Sequence, residues 1–136
     1  MQLDEFTITM ESQKGVREAL AAVWKAAARA DWIILGDYDL AGLLAEPSDS
    51  PTEKSEIKSI DICHPQLARP FVAAEKLTAL CMPCNVLIYR DGSRTHLAAL
   101  RPGAMMPELF AQAVRELGDL PERIDRELQA ILEAAS

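Results

Sequence analysis

All three cysteines of the chain and one of its two histidines fall between Asp61 and Cys84, as Cys63-His64 and Cys81-Met82-Pro83-Cys84. A C-x-x-C pair presents two thiolates at a spacing that holds one soft metal ion. The same pair can act as a dithiol redox couple, whose chemistry needs a strand before it and a helix after it, because a helix N-terminus lowers the thiol pKa. Here the order is reversed: a helix precedes and the apolar run Asn85–Arg90 follows as a strand, which speaks against thioredoxin-like chemistry. A structural zinc site takes four ligands, and only Cys63 and His64 are available to complete one with Cys81 and Cys84. His64 beside Cys63 is also the arrangement of a base next to a thiol nucleophile. Packing is the competing explanation for all four residues. Cysteine is among the most buried residue types and behaves as a small apolar side chain, and a histidine at a strand end can serve as a cap.

Other candidates carry less. Met82, Met105 and Met106 are thioethers that Cu(I) favours, or gap-fillers in a core. Asp37 and Asp39 flank Tyr38 at a strand end, as general acid and base or as solvated loop acids. His96 is a surface residue of a strand. The sequence has no G-x-S-x-G, no glycine-rich phosphate loop and no H-E-x-x-H.

The elements that must position these groups are legible from periodicity. Glu5 to Met10 alternates with period two and predicts a half-buried strand. Ser12 is placed to cap a helix running to about Ala30, with Val16, Leu20, Val23, Trp24 and Ala27 as its apolar stripe. Trp32 to Leu35 is apolar on both sides, which predicts a strand inside a sheet, ended or bent by Gly36 and Asp37. A short helix over Asp39 to Glu46 leads into the polar, proline-containing loop Pro47 to Ser55. Ile57 to Cys63 is a third strand. Pro65 opens a helical stretch that Pro70 either kinks or truly begins. Asp91-Gly92 is a hairpin signal between strands Asn85–Arg90 and Arg94–Leu100. Pro107 to Leu117 is helical, Gly118 ends it, and Pro121 restarts a last helix with Ile124, Leu128, Ile131 and Leu132. The order β-α-β-β-α-β-β-α predicts an α+β two-layer sandwich, with a mostly antiparallel sheet of about five strands and helices on one face.

One topological detail decides whether the cysteines meet. A helical crossover normally joins parallel strands. Cys63 at the end of one strand and Cys84 at the start of the next would then lie roughly 20 Å apart over six residues of strand, too far for one metal or one disulfide. If Thr78 to Met82 runs back beside the sheet, the strands are antiparallel, and Cys63, His64 and Cys84 converge.

The 136 residues, 49% hydrophobic and 26% charged, suit one soluble globular domain. A formal net charge of −7 weighs against nucleic acid as a partner, and the scattered cations mark no anionic membrane surface. No run reaches the 18 or so apolar residues of a membrane span. The acidic N-terminus is not a signal peptide, so a cytoplasmic location is expected, where thiols stay reduced.

Ile62-Cys63-His64-Pro65-Gln66-Leu67-Ala68, followed by Met82-Pro83-Cys84-Asn85 and the acidic-Gly hairpin at Asp91-Gly92, resembles the family called domain of unknown function 302 (DUF302). That family carries C-N-P then L-A, a later L-P-C before an apolar strand, and the hairpin. The resemblance spans roughly Glu5 to Pro102. It implies a small two-layer α/β domain of bacteria and archaea, a homodimer, and no established activity. His64 stands where the family has Asn, Met82 where it has Leu, and Cys81 falls outside the pattern, so Cys63, Pro65, Pro83 and Cys84 are the positions that match. On this basis residues 1–104 form the family-like domain and residues 105–136 a C-terminal helical extension packed on it. The expected function is a non-enzymatic binding module with a soft-ligand site around Cys63 and Cys84, taking a thiophilic metal or persulfide sulfur. The alternatives are a structural or interaction homodimer with inert buried cysteines, and a thiol enzyme using Cys63 or Cys84 with His64.

Overall fold

The computed structural model describes residues 2–49 and 56–136. In chain order the elements are α1 (Leu3–Phe6), β1 (Thr7–Ser12), α2 (Val16–Arg29), β2 (Ile33–Asp39), α3 (Leu40–Leu44), β3 (Ile57–Cys63), α4 (Pro65–Ala74), a 3-10 helix (Lys76–Cys81), β4 (Cys84–Asp91), β5 (Arg94–Leu100), α5 (Pro102–Leu109), α6 (Ala111–Val114), a second 3-10 helix (Arg115–Leu117) and α7 (Leu120–Ala135). Part of the loop expected over Pro47 to Ser55 lies outside the described residues.

The five strands form one sheet in the order β1-β5-β4-β3-β2. Every neighbouring pair is antiparallel. Ile8, Ile60, Ile62, Val86, Ile88, Leu97 and Ala99 are buried in one cluster with Val16, Val23, Phe71, Leu128, Ile131 and Leu132 of the helices. The alternate positions, including Thr9, Asn85, Leu87, Ala98 and Leu100, make the sheet's other face, which no helix among the described residues buries. The architecture is therefore the α+β two-layer sandwich, with its core between one sheet face and the helices.

Several local expectations are corrected. Ser12 belongs to β1 rather than capping α2: its hydroxyl donates to the Ser136 carbonyl at 2.8 Å and accepts from Lys14 N. Gly15 stands at the cap position of α2 without a side-chain hydrogen bond. Ala19 takes the place on the buried stripe expected for Trp24, which is 42% exposed and donates from Nε1 to Asp37 Oδ2 at 2.9 Å. β2 is an edge strand, not an internal one. Ile33, Leu35 and Tyr38 are about half exposed, and the register shifts between Ile34 and Gly36, a bulge of the kind that blunts sheet edges. An apolar run on both faces predicts burial, but nothing pairs with the far side of this strand among the described residues. α4 begins at Pro65 and runs through Pro70. Pro102 opens α5 at its first turn, where a missing N–H costs no hydrogen bond, so helix begins earlier than the expected Pro107.

The C-terminal helices belong to this core. Ile124, Leu128, Ile131 and Leu132 of α7 are all buried, and α7 packs on α2 and α5. Asp125 ties α7 to the start of α5. Its carboxylate accepts from Gly103 N at 2.7 Å and from Arg101 Nε at 3.1 Å. A Cβ at position 103 would come 2.5 Å from Asp125 Oδ2 and 3.1 Å from the Pro121 carbonyl, so a larger residue here would push the Asp125 carboxylate off its hydrogen bonds.

Candidate functional site

The 3-10 turn Lys76–Cys81 returns the chain beside the sheet, and β4 runs antiparallel to β3. Ile62 stands opposite Cys84 and Cys63 opposite Ile33. Cys63 is thus one residue from the partner of Cys84 on the adjoining strand, and adjoining strands lie about 5 Å apart. Both cysteines lie at the same end of the sheet and line one cavity, Cys84 on the helix-covered face with Ile62 and Cys63 on the opposite face with Ile33. Cys81, at the end of the 3-10 turn, and Met82, joined to Pro83 by a cis peptide bond, complete the corner.

His64 follows directly. It caps α4: its Nδ1 accepts from Leu67 N at 3.3 Å, and Pro65 occupies the first helical position. A neutral ring whose Nδ1 accepts carries its proton on Nε2. The imidazole meets Trp32 edge to face, with centroids 5.9 Å apart. Trp32 is held by the turn after α2, where Asp31 adopts φ 66°, a conformation that Asp tolerates, and Trp32 N donates to Ala27 O at 2.9 Å.

These groups line a cavity of about 430 Å³, within the range of small-molecule sites. Its wall includes Trp32, Cys63, His64, Cys81, Cys84, Met82 and, from α5, Met105 and Met106. Leu67, Leu80, Leu87, Leu100 and Ile124 add apolar surface, and no Asp, Glu, Lys or Arg is among the lining residues. Six sulfur-bearing side chains therefore share one uncharged cavity.

The thiols are held in their neutral form. Burial pushes the Cys84 thiol up to about 12, helped by the neighbouring Cys63, Cys81 and Asp125. Burial also raises Cys63 and Cys81. A thiol that stays protonated is a poor nucleophile, and His64 Nδ1 is engaged with Leu67 N rather than with a thiol. Among the described residues, no group of three or more His, Cys, Asp and Glu is gathered to hold a metal ion. The four-residue set Cys63, His64, Cys81 and Cys84 shares a cavity wall without forming a coordination cluster.

The remaining candidates have structural partners. Asp37 accepts from Trp24, and Asp39 accepts from Gly42 N at the start of α3 and pairs with Lys58 at 3.4 Å. His96 stacks on Tyr89, centroids 5.1 Å apart. Two features escaped the sequence. One is a polar cluster on the open sheet face, where Asn85 donates to Ser59 and Asp61 and the Tyr38 hydroxyl, also bonded to Asp61, is shifted up. The other is Trp32, whose indole Nε1 is buried without a hydrogen-bond partner. Period-two alternation places Ser59 and Asp61 on one face of β3, but the facing residue of β4 needed the register.

A small α+β domain, with a sulfur-lined cavity at one end of a five-stranded antiparallel sheet, is the class that fold and site define. The chain belongs to the family described as domain of unknown function DUF302, whose model matches residues 8–135. The match runs through α7, beyond the stretch Glu5 to Pro102 that carries the motif resemblance. The fold is similar to the crystal structure of an uncharacterized conserved DUF302 protein from Bacillus stearothermophilus, with a TM-score of 0.83 at 18% identity over 96% of this chain and 98% of that one. No curated protein matches the chain. No helix among the described residues is long and apolar enough to cross a membrane.

Proposed function

We propose that this protein is a non-enzymatic binding module that takes a soft, polarisable ligand, a thiophilic metal or sulfur carried as a persulfide, in the cavity around Cys63 and Cys84. One observation carries the reading: three cysteines and three methionines, drawn from β3, the turn before β4, the start of β4, and α5, line a single cavity with no Asp, Glu, Lys or Arg. Sulfur is the protein donor that soft partners prefer. The raised thiols speak against a thiol nucleophile, which needs a depressed pKa, and a metal taken up here displaces their protons on binding. The test is ligand uptake by the folded protein, read by intact mass with Cu(I), Zn(II) and a small organic persulfide. Uptake of one equivalent that is lost in the Cys63→Ser/Cys84→Ser double variant is expected. Uptake unchanged in that variant, or none at all, ends the proposal.

A second reading has its own support. The open sheet face and the half-exposed Ile33, Leu35 and Tyr38 on the β2 edge, with Leu100 on β5, suit a homodimer in which a second copy covers apolar surface. In that reading the cysteines are inert packing. It predicts a dimer and three slow thiols that no soft ligand protects.

A further inference from the structure

The cavity asks little of a ligand in hydrogen bonding. Of the polar side chains on its wall, Thr7 donates from Oγ1 to the Leu3 carbonyl at 3.0 Å. Asn85 spends its amide nitrogen on Ser59 and Asp61, and His64 is fixed by its cap on α4. The three thiols are weak donors. No Asp, Glu, Lys or Arg lines the wall, so an ionised ligand group would lose its water without gaining a counter-charge. The wall offers polarisable surface instead. Sulfur makes favourable contacts with aromatic rings, often at the ring edge. Six sulfur-bearing side chains and the aromatic side chains of Trp32 and His64 stand around one space of about 430 Å³. Trp32 and His64 already meet edge to face, an arrangement that aromatic rings prefer. The unbranched thioethers re-pack around a guest of irregular outline.

Resting on the reading of this cavity as the binding site, we propose that its ligand is an uncharged aromatic molecule of fused rings, held without a covalent bond against the thioethers of Met82, Met105 and Met106 and the three thiols. The soft, polarisable partner is then a π-system rather than a bare ion, in keeping with the lack of a coordination cluster among the described residues. Leu67, Leu87 and Leu100 supply the apolar remainder of the wall, which removes the rings from water.

Three probes separate the possibilities: naphthalene, its saturated counterpart decalin, and the anion 2-naphthoate. Headspace depletion over the folded protein reads the two hydrocarbons, and equilibrium dialysis reads the anion. Transfer from water favours both hydrocarbons, so the contribution of the ring is the ratio of their affinities. In Met105→Leu/Met106→Leu, which nearly conserves side-chain volume, naphthalene's affinity relative to decalin is expected to fall about fivefold, the value of two sulfur–ring contacts. 2-Naphthoate is expected to bind about tenfold more weakly than naphthalene, or worse, for want of a counter-charge. If the double variant does not fold, the methionine methyl resonances of the native protein give the answer, assigned with Met105→Leu and Met106→Leu singly. Naphthalene should move both methyls through its ring current, far more than decalin does. A ratio that the double variant leaves unchanged, methyls that naphthalene leaves in place, or naphthoate binding as tightly as naphthalene overturns the proposal. If none of the probes binds while Cu(I) or Zn(II) still protects a thiol, this inference fails and the soft-ligand reading stands. If nothing binds and nothing protects, both fall.

Discussion

Cys84 concentrates the chemistry of the molecule in one atom. Its thiol is pushed from 9.0 to about 12, first by burial and then by Cys63, Cys81 and Asp125. The native state therefore holds a proton that the unfolded chain releases from about pH 9. The stabilisation is fully present below pH 9 and is lost as pH rises toward 12. Denaturant midpoints are expected to fall across that window in the wild type and to fall less in Cys84→Ala. An equal fall in both would show that the thiol holds no such proton. His64 acts at the same scale through its cap. His64→Ala should cost about 1 kcal/mol of stability, the usual value of a helix cap, while leaving all three thiols slow toward iodoacetamide at pH 7. A thiol that slows further in that variant would mean that the imidazole had been activating it. The residue types were legible in the sequence, but Trp32 was not, because an orphaned donor is a property of surroundings rather than of residue identity.

At the scale of elements, the site depends on two joints. The first is the return of the 3-10 turn Lys76–Cys81, which makes β3 and β4 antiparallel and puts Cys63 and Cys84 at the same end of the sheet rather than the roughly 20 Å apart that a parallel crossover would give. No residue in Thr78 to Met82 announces that return, so the sequence could pose the alternative and not decide it. The second is Asp125, which pins α7 to α5 and with it the Met105 and Met106 wall of the cavity. Asp125→Ala leaves the Gly103 N–H without its acceptor, while Arg101, 40% exposed, keeps the Glu5 carbonyl, and is expected to cost about 1–3 kcal/mol, with soft-ligand uptake weakened in protein that remains folded. A stability change below about 0.5 kcal/mol, the range of ordinary surface substitutions, would contradict this role. Periodicity located β3 and α7 because each buries one clean face, while β4 was legible as an apolar run and β5 from the Asp91-Gly92 hairpin. It misplaced β2, whose apolar residues lie on an edge, and Trp24, whose indole finds Asp37 instead of the core.

Across the described residues, the helices cover one face of the sheet and leave the other open, with Leu100 and the β2 residues Ile33 and Tyr38 exposed on it. A second copy of the chain is the partner that the family resemblance implies. Leu100→Lys is expected to shift the mass in solution from dimer to monomer without lowering helix content, as measured by light scattering and circular dichroism. A wild-type monomer would remove the dimer from the account. The fold class followed from the alternation of strand and helix patterns and from the Asp91-Gly92 hairpin. Strand order did not, since it is set by contacts between residues far apart in the chain.

Whether the three cysteines share a ligand site is read by labelling native protein with iodoacetamide at pH 8, with and without one equivalent of Cu(I), and mapping each thiol by peptide mass. Slow labelling of all three is expected, Cys84 slowest, with a further slowing of Cys63 and Cys84 together when the soft ion is present. Rates that Cu(I) leaves unchanged at both residues would contradict a shared site and return the cysteines to packing.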